Sequence, residues 1–158
     1  LEGPYISPEK PGAQPREFVR DHDPDEFDRW LALADGALLR ITLAPERPGA
    51  DALLARCRDE GIAVALGHTD ADAALIRAVL DRMPCDATHL FNAMNGIHHR
   101  KPGPVPVFCT HPAAHVELIC DGHHVAPEVA AMAVAARGVE GVIAITDAMA
   151  GAGAGDGL

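Results

Sequence analysis

The sequence predicts an α/β fold built on a parallel sheet, because two kinds of segment alternate regularly along it. Short, almost continuously apolar runs recur, and segments with the spacing of amphipathic helices lie between them. Apolar runs of this kind are typical of strands that are buried on both faces of a parallel sheet. The strand-like segments end after intervals of 24, 22, 31 and 27 residues, near Leu43, Gly67, His89, Cys120 and Asp147. This spacing indicates consecutive βαβ units.

Each predicted element corresponds to one segment of the sequence. Strands are predicted over residues 37–44, 61–67, 116–120 and 141–146, with a further strand that ends near His89. Helices are predicted over residues 23–35, 49–61, 69–83 and 126–138. Both a (β/α)₈ barrel and an open doubly wound sheet fit this pattern. A barrel needs about 250 residues, so a chain of 158 residues could form most of one.

The predicted helices carry ordinary start and stop signals. An Asp-Pro start and an acidic first turn open residues 23–35. Gly61 is the expected C-cap of the second helix, and Thr69 is the expected N-cap of the third. Pro127 lies in the first turn of the last helix, which Gly138 ends. The apolar stripes of the first and third helices are Phe27, Trp30, Leu31 and Ala34, and Leu75, Val79 and Leu80.

The composition is that of a soluble globular domain, with 48% hydrophobic and 23% charged residues. The formal net charge of −10 argues against a nucleic-acid partner, because phosphate backbones bind basic surfaces. The apolar runs are much shorter than the roughly 20 residues of a membrane span, and no signal segment opens the chain. We therefore expect a cytoplasmic protein. Buried free thiols are expected at the cysteines, which show no CxxC spacing: Cys57, Cys85, Cys109 and Cys120.

Both ends of the chain have the character of interior segments. The sequence opens on LEGPY without a methionine and closes on GAGAGDGL. We therefore expect residues 1–158 to be a single fragment of a longer protein. The segment GAGAGDG, residues 151–157, lacks the strand and the GxxxxGK context of a phosphate-binding loop. It is predicted to be a mobile loop over the functional site.

Ionisable side chains follow the strand-like segments, at the edge of a parallel sheet where functional groups converge. In chain order they are Glu2, His68, His89, then Asp121, His123 and His124, and finally Asp147. Any one of these residues could simply cap a turn or face solvent. Together they would place a carboxylate and two imidazoles at one point, as in a metal site with room for a water molecule. His68 and His89 are 21 residues apart, so only the ends of two strands can bring them together.

Several segments carry a family resemblance: LEGPYISPEKPGAQ, TLAPE, GHTDA, THLFNAMNGIHHRKPG, ICDGHHV and ITDAMA. In this order and spacing they resemble the N-acetylglucosamine-6-phosphate deacetylases of the amidohydrolase superfamily, across essentially the whole chain. The resemblance implies a partial (β/α)₈ barrel of the TIM type, without the first strands of the family's barrel and without its β-sandwich domain. It also implies hydrolysis of N-acetylglucosamine 6-phosphate to glucosamine 6-phosphate and acetate, and a homodimer of the full-length protein.

The resemblance further implies roles for individual residues. Glu2, His68 and His89 would bind a catalytic divalent metal, with zinc expected first and iron, manganese or cobalt as alternatives. Asp147 would be the catalytic acid and base. The substrate contacts would be Gln14, Asn92, Ala93, Arg100 and His124. Many relatives have a histidine where this chain has Gln14, which can donate a hydrogen bond to the amide carbonyl but cannot carry a charge.

Other functions remain open at this level. The same chemistry could act on another N-acetyl amino sugar, such as N-acetylgalactosamine 6-phosphate, or on an unphosphorylated sugar, although Arg100 favours a phosphate. THLFNAM and DGHHV argue against a binuclear amidohydrolase acting on cyclic amides or dipeptides. The chain could also be a metal-binding fragment without catalytic activity. His98, His99 and Lys101 are expected to be surface residues.

Overall fold

A computed structural model describes residues 1–149 and 151–154, and its centre is a sheet of five parallel strands. The strands are β1 (Arg40–Leu43), β2 (Ala63–Leu66), β3 (Cys85–Ala87), β4 (Ala114–Ile119) and β5 (Val142–Ile145). The helices are α1 (Pro24–Ala34), α2 (Ala50–Asp59), α3 (Ala73–Leu80), α4 (Val105–Thr110) and α5 (Pro127–Arg137). Short 3₁₀ turns cover Arg16–Phe18 and Val139–Gly141.

The strands lie side by side in the order in which they occur in the chain, β1-β2-β3-β4-β5. Every neighbouring pair is parallel, from Arg40 opposite Ala63 in the first pair to Ile119 opposite Ile145 in the last. A doubly wound sheet reverses its strand order at a switch point, whereas a barrel adds its strands sequentially. The strand order therefore favours the barrel, and the chain forms consecutive βα units of part of a (β/α)₈ barrel.

Most of the predicted elements are confirmed. All five predicted strands are present, with ends shifted by a few residues. The N-cap of α1 is Asp23, and α5 begins at Pro127 and stops before Gly138, as predicted. Helix α4 was not predicted, because its segment VPVFCT is short and apolar and its pattern is closer to that of a strand.

Two helix ends differ from the prediction. Helix α3 begins at Ala73 after the N-cap Asp72, so the prediction that Thr69 caps it was wrong. The Thr69 hydroxyl instead donates a hydrogen bond of 2.6 Å to Glu46 Oε2, which engages the side chain in a contact between loops. Gly61 lies one residue beyond the C-cap of α2 and has a φ of 70°. It therefore follows the helix end as a left-handed residue rather than being the cap itself.

Aliphatic side chains fill the core between the sheet and the helices. Fully buried members include Ile41, Leu43, Leu53, Leu66, Ile76 and Leu118. On α3 the buried residues are Ile76, Val79 and Leu80, and the predicted stripe residue Leu75 is only partly buried. All four cysteines are free, as expected, and Cys57, Cys85 and Cys109 are buried. Cys120 is exposed, contrary to the prediction, because it lies just after β4 has ended.

The first residues of the chain lie against the edge of β1 that is opposite β2. Glu2 forms a single parallel bridge with Thr42, which is where a preceding strand of a barrel would pair. Tyr5 anchors this segment, because its buried ring stacks on Trp30 with the ring centroids 5.3 Å apart. The Tyr5 hydroxyl donates a hydrogen bond of 2.8 Å to Glu26 in α1. The entry segment is therefore fixed to the first helix as well as to the sheet.

No helix in residues 1–149 and 151–154 has both the length and the apolar character that a membrane crossing requires. The loop predicted over residues 151–157 is described as far as residue 154, and residues 151–153 form a turn. Residues 155–157 of that prediction lie outside the described residues.

Candidate metal centre

Three side chains from three separate segments meet at the carboxyl end of the sheet. The Oε1 atom of Glu2 lies 2.7 Å from Nε2 of His68 and 3.3 Å from Nε2 of His89. The two imidazole nitrogens are 3.0 Å apart. Within the part of the chain that the structure describes, this is the one group of three or more histidine, cysteine or carboxylate side chains that could hold a metal ion. The structure thus brings together the three residues expected to bind metal.

The strands set the spacing of these side chains. Glu2 is bridged to Thr42 in β1, and the two histidines follow β2 and β3. The hydroxyl groups of Thr42 and Thr88 are 3.0 Å apart in a buried contact. Gly67 permits the close approach of β2 and β3, since a Cβ atom on Gly67 would lie 2.6 Å from the Cβ atom of Thr88.

The His68 ring is oriented by the loop that precedes the first 3₁₀ turn. Its Nδ1 atom lies 2.9 Å from the carbonyl oxygen of Lys10. Because a carbonyl oxygen only accepts hydrogen bonds, Nδ1 carries a proton, and in the neutral ring Nε2 keeps a lone pair that faces Glu2. Gly12 of the same loop has a φ of 56°, and a Cβ atom on it would lie 2.9 Å from Cε1 of His68. The loop therefore fixes both the tautomer and the position of the imidazole.

His89 lies where β3 gives way to a left-handed turn. Its φ is 31°, and its backbone N–H donates a hydrogen bond of 3.3 Å to Oε2 of Glu117. Its Nδ1 atom is buried without a hydrogen-bond partner. Positive φ values also occur at His68, Ala93 and Asp147. Such conformations cost about 1–3 kcal/mol each in a residue with a side chain, and they concentrate at functional sites.

The donor atoms fit a divalent cation. With its proton on Nδ1, His68 turns a lone pair toward a carboxylate oxygen only 2.7 Å away. Two acceptors this close need a proton or a cation between them. Points separated by 2.7, 3.0 and 3.3 Å can all lie about 2.1 Å from one centre, which is the usual length of zinc bonds to nitrogen and oxygen. Three protein ligands leave a further position for water, as in catalytic zinc sites.

The charges at the centre shift the pKa values of two of its side chains. The close contacts of its carboxylate, first with His68 and next with His89, hold the pKa of Glu2 well below its ordinary value, although burial acts to raise it. Burial acts to lower the pKa of His89, but the hydrogen bond and the charge of Glu2 outweigh it, so this pKa is raised. The negative charge of Asp147 also contributes to the rise. Glu2 is therefore ionised at neutral pH and adds a negative charge to the donor set.

Asp147 and Gln14 border the centre in two different cavities. Asp147 lines a cavity of about 650 Å³ together with Glu2, Thr42 and Thr88. Gln14 lines a second cavity of about 300 Å³, which also reaches Glu2. Each side chain thus lines a cavity that also reaches the Glu2 carboxylate, and their catalytic and substrate-binding roles stay predictions.

Asn92 and Ala93 lie in the turn that follows His89. The side-chain nitrogen of Asn92 donates a hydrogen bond of 3.1 Å to the carbonyl oxygen of His89. Ala93 has a φ of 46°, and its carbonyl oxygen accepts a hydrogen bond of 3.1 Å from the backbone of Thr69. The loops after β2 and β3 are therefore joined directly beside the two imidazoles.

Arg100 and His124 are exposed. In the described chain, neither side chain forms a hydrogen bond or an ion pair with Glu2, His68 or His89. Arg100 lines a cavity of about 750 Å³, and the other residues there include Asp70, Asp72, Asn95 and Lys101. His124 instead pairs through Nδ1 with Asp121, at 2.6 Å. His98, His99 and Lys101 are exposed, as predicted.

Three acidic residues hold segments around the sheet edge, and no individual role was predicted for them. Glu46 accepts hydrogen bonds of 2.6 Å from the hydroxyl of Thr69 and from the backbone of the next residue. Asp121 accepts a hydrogen bond of 2.9 Å from the backbone N–H of His124. This hydrogen bond is the main reason why the pKa of Asp121 lies below its ordinary value. The third is Glu117 in β4. Glu46 and Asp121 lie in the segments TLAPE and ICDGHHV, so the sequence carried a signal, whereas Glu117 is concealed in an apolar run.

The chain is similar along its whole length to curated deacetylases. It is 41% identical over 158 residues to the N-acetylglucosamine-6-phosphate deacetylase of Bacillus subtilis, covering 100% of this chain and 40% of that protein. It is 38% identical over 157 residues to the N-acetylgalactosamine-6-phosphate deacetylase of Escherichia coli O157:H7, covering 99% of this chain and 41% of that protein. No protein-family model matches the chain.

Solved structures agree with these sequence comparisons. The N-acetyl-D-glucosamine-6-phosphate deacetylase of Mycobacterium smegmatis, as an aspartate-to-alanine mutant in complex with N-acetyl-D-glucosamine-6-phosphate, superimposes with a TM-score of 0.94 at 41% identity. That match covers 99% of this chain and 41% of the other. The Thermotoga maritima enzyme gives a TM-score of 0.88 at 30% identity, covering 99% of this chain and 42% of the other. The chain is therefore a homologue of the N-acetylglucosamine-6-phosphate deacetylases, and it spans about 40% of the length of the curated relatives it matches.

Proposed function

We propose that this chain carries the metal-binding part of a deacetylase that hydrolyses N-acetylglucosamine 6-phosphate to glucosamine 6-phosphate and acetate. The observation that carries the proposal is the convergence of Glu2, His68 and His89, with donor atoms 2.7–3.3 Å apart, beside the cavity that Asp147 lines. Similarity to deacetylases over the whole of this chain supports the same reaction. The chain matches only about 40% of the length of those proteins. We therefore propose the activity for the longest natural protein that contains this sequence.

Amide hydrolysis at neutral pH needs a strong nucleophile and a proton for the departing amine. A divalent metal on Glu2, His68 and His89 would supply a water of lowered pKa and an electrophile for the amide carbonyl. Asp147 accepts the proton of the attacking water at its carboxylate and then donates it to the sugar nitrogen. Its place in the cavity next to Glu2 suits both transfers. Gln14 donates a hydrogen bond from its side-chain amide to the carbonyl oxygen as charge develops there.

The rest of the substrate is bound by the loops after β3 and β4. Asn92 and Ala93 contact the sugar from the turn that follows His89. Arg100 binds the phosphate, because its planar guanidinium can make two parallel hydrogen bonds to an oxyanion. His124 also binds the phosphate, and its Nδ1 contact with Asp121 leaves Nε2 for this purpose. In a chain of net charge −10, a local cation such as Arg100 is what attracts an anionic sugar.

Zinc is the proposed metal, since a carboxylate and two imidazoles in this arrangement are typical ligands of catalytic zinc. Iron, manganese and cobalt bind similar ligand sets, so metal content of the purified protein decides between them. A homodimer completes the proposal on the basis of the family resemblance, and a cytoplasmic location does so on the basis of the free cysteines.

N-acetylgalactosamine 6-phosphate is a second candidate substrate, because one relative that is 38% identical to this chain is a deacetylase of that sugar phosphate. The two sugars differ only in the configuration of one hydroxyl group. The ratio of kcat/KM for the two phosphates measures the preference directly, and we expect it to favour the glucosamine substrate.

Acetate release from N-acetylglucosamine 6-phosphate by the longest natural protein that carries this sequence tests the proposal. The variant Asp147→Asn is the control, since an amide accepts no proton from water, and its rate is expected to fall about 10²- to 10⁴-fold. A parent protein that releases no acetate, or a variant with an undiminished rate, contradicts the proposed function. The 158-residue chain is assayed in parallel, and zinc binding without acetate release would identify it as a metal-binding fragment.

A further inference from the structure

We propose that Glu117 is a positioning residue for the metal ligand His89, and that Arg40 neutralises the Glu117 carboxylate so that it can be held inside the barrel. The proposal rests on the metal-binding part of the proposed function and not on the identity of the substrate. Three observations support it: the backbone conformation of His89, the burial of Glu117 and the register of the strands between Arg40 and Glu117.

The backbone at His89 needs an acceptor that the sheet does not provide. Strand β3 ends at Ala87, so the His89 N–H lies beyond the regular ladder, and the φ of 31° at His89 turns the following chain away from the strand. Glu117 supplies two acceptors: its side-chain Oε2 binds the His89 N–H at 3.3 Å, and its carbonyl oxygen binds the Leu90 N–H at 2.8 Å. One residue of β4 therefore satisfies both amides at the point where the chain turns. Loss of the side-chain acceptor would leave a buried N–H unpaired at a strained residue.

A carboxylate in this place requires a positive charge nearby. Glu117 is only 9% exposed, and an isolated buried carboxylate is strongly unfavourable. Arg40 Nη2 lies 2.6 Å from Oε1 of Glu117 and 3.0 Å from Oδ2 of Asp86. These are charge contacts rather than aligned hydrogen bonds, because Nη2 has no partner of hydrogen-bond geometry. Arg40 thus offsets the charge of Glu117, while Oε2 of Glu117 remains free for His89.

The register explains how Arg40 in β1 reaches a residue of β4. Arg40 lies opposite Ala63 in β2, and Ala65 of β2 lies opposite Asp86 in β3. The two alanines alternate onto the same face of the sheet as Arg40, so β2 presents only methyl groups there. The arginine side chain can therefore extend over β2 to the carboxylates of β3 and β4. Because the residues of β2 on this face are small, Arg40 of β1 can pair with the carboxylates of β3 and β4, and Glu117 can thereby fix the turn at His89.

The test is the zinc dissociation constant of the longest natural protein that carries this sequence, measured by competition with a chromophoric chelator. Replacement of Glu117 by Met removes the acceptor for His89, and zinc affinity is expected to fall about 10- to 100-fold, as is usual when a group that orients a metal ligand is lost. Glu117→Gln keeps an amide oxygen that can accept the His89 N–H, so it should retain affinity within about threefold of the parent. Rescue by this conservative variant is the signature of a positioning role.

Asp86→Asn is the matched control, because Asp86 pairs with the same arginine but has no hydrogen bond to His89. It should leave zinc affinity within about threefold, since it perturbs the charges without removing the acceptor. The double variant Arg40→Met/Glu117→Met removes both charges together and should fold even where Glu117→Met alone does not. Its zinc affinity should nevertheless be reduced about 10- to 100-fold.

Two results would overturn the proposal. One is a double variant, folded by circular dichroism, that binds zinc as tightly as the parent. The other is an Asp86→Asn variant that loses as much affinity as Glu117→Met, because the effect would then belong to the charge network as a whole. Acetate release is not a readout here, so a failure of the proposed deacetylase reaction would leave the pattern of zinc affinities unchanged.

Discussion

The Nε2 atoms of His68 and His89 lie 3.0 Å apart, although 21 positions separate the two residues in the chain. Parallel strands make this possible, since β2 and β3 are neighbours in the sheet and both end at the same edge. The lone pair of His68 is directed there by the Lys10 carbonyl, and the backbone of His89 is held by Glu117. Two imidazole nitrogens this close, beside an ionised Glu2, suit the binding of a cation better than a hydrogen bond between the two rings.

Gly12→Ala is expected to weaken zinc binding through His68. The new Cβ atom would lie 2.9 Å from Cε1 of His68, and a residue with a side chain is strained at the φ of 56°. We expect a loss of about 1–3 kcal/mol in the free energy of unfolding and about a tenfold loss of zinc affinity. Gly36→Ala is the control, because Gly36 has a φ of 82° but no atom within 4 Å of its added Cβ. It should lower stability without changing zinc affinity, and equal zinc losses in both variants would contradict the account.

Glu46→Ala is expected to loosen the loop that carries His68. The Glu46 carboxylate binds the Thr69 hydroxyl and the Asp70 backbone at 2.6 Å each. Its removal should cost about 1–3 kcal/mol of unfolding free energy and should also weaken zinc binding. Asp72→Ala removes the N-cap of the adjacent helix α3, so it should cost about 1 kcal/mol without affecting zinc. Urea unfolding and chelator competition measure the two effects, and zinc affinity that is unaffected by Glu46→Ala would refute the prediction.

Arg100→Gln is expected to act on the substrate phosphate. We predict about a tenfold higher KM for N-acetylglucosamine 6-phosphate, from the loss of a charged hydrogen-bond pair, and no change for the unphosphorylated sugar. Lys101→Gln is the control, because Lys101 lines the same cavity and its replacement removes the same charge. It should change KM for neither sugar. Steady-state kinetics on both sugars decide the matter, and equal effects of the two variants would show that only the general charge of the loop counts.

Stability is expected to fall at alkaline pH through the buried thiols. Burial raises the pKa of Cys57 from 9.0 to about 11 and that of Cys85 from 9.0 to about 12. The folded state therefore keeps protons that the unfolded chain releases above pH 9.0. Their contribution to stability is full below that pH and is lost as pH rises toward the folded values, at up to about 1.4 kcal/mol per unit for each thiol. Urea unfolding from pH 9.0 up to the folded-state pKa values should show that stability falls less steeply with pH in Cys85→Ala than in the parent. Cys120→Ser, at an exposed position, should show the same decline as the parent. Identical slopes for the parent and Cys85→Ala would exclude this contribution.

The sequence predicted the features that depend on local pattern. Buried parallel strands appear as apolar runs, so the five strands were found, and the residues that follow them, His68 and His89, were placed at the same edge. The features that were missed depend on contacts between distant segments. Thr69 has the character of an N-cap, but Glu46, 23 residues away, engages its hydroxyl, and the helix starts later.

Glu117 illustrates the same limit within the site. A single acidic residue in an apolar run resembles a defect in a strand, and nothing near it in the sequence indicates its partners. Its function follows only from the register, which brings Arg40 from β1 and His89 from β3 to the same carboxylate. The spacing of the predicted strands fits both a barrel and a doubly wound sheet. Only the strand order in the structure distinguishes the two.

Zinc content after exhaustive dialysis, measured by mass spectrometry on the longest natural protein and on its variant His68→Ala/His89→Ala, tests the central claim most directly. We predict about one zinc ion per chain in the parent and about a tenth of that or less in the variant, because the variant retains only the carboxylate ligand. Equal zinc contents in the two proteins, with both folded, would contradict the assignment of the metal to Glu2, His68 and His89.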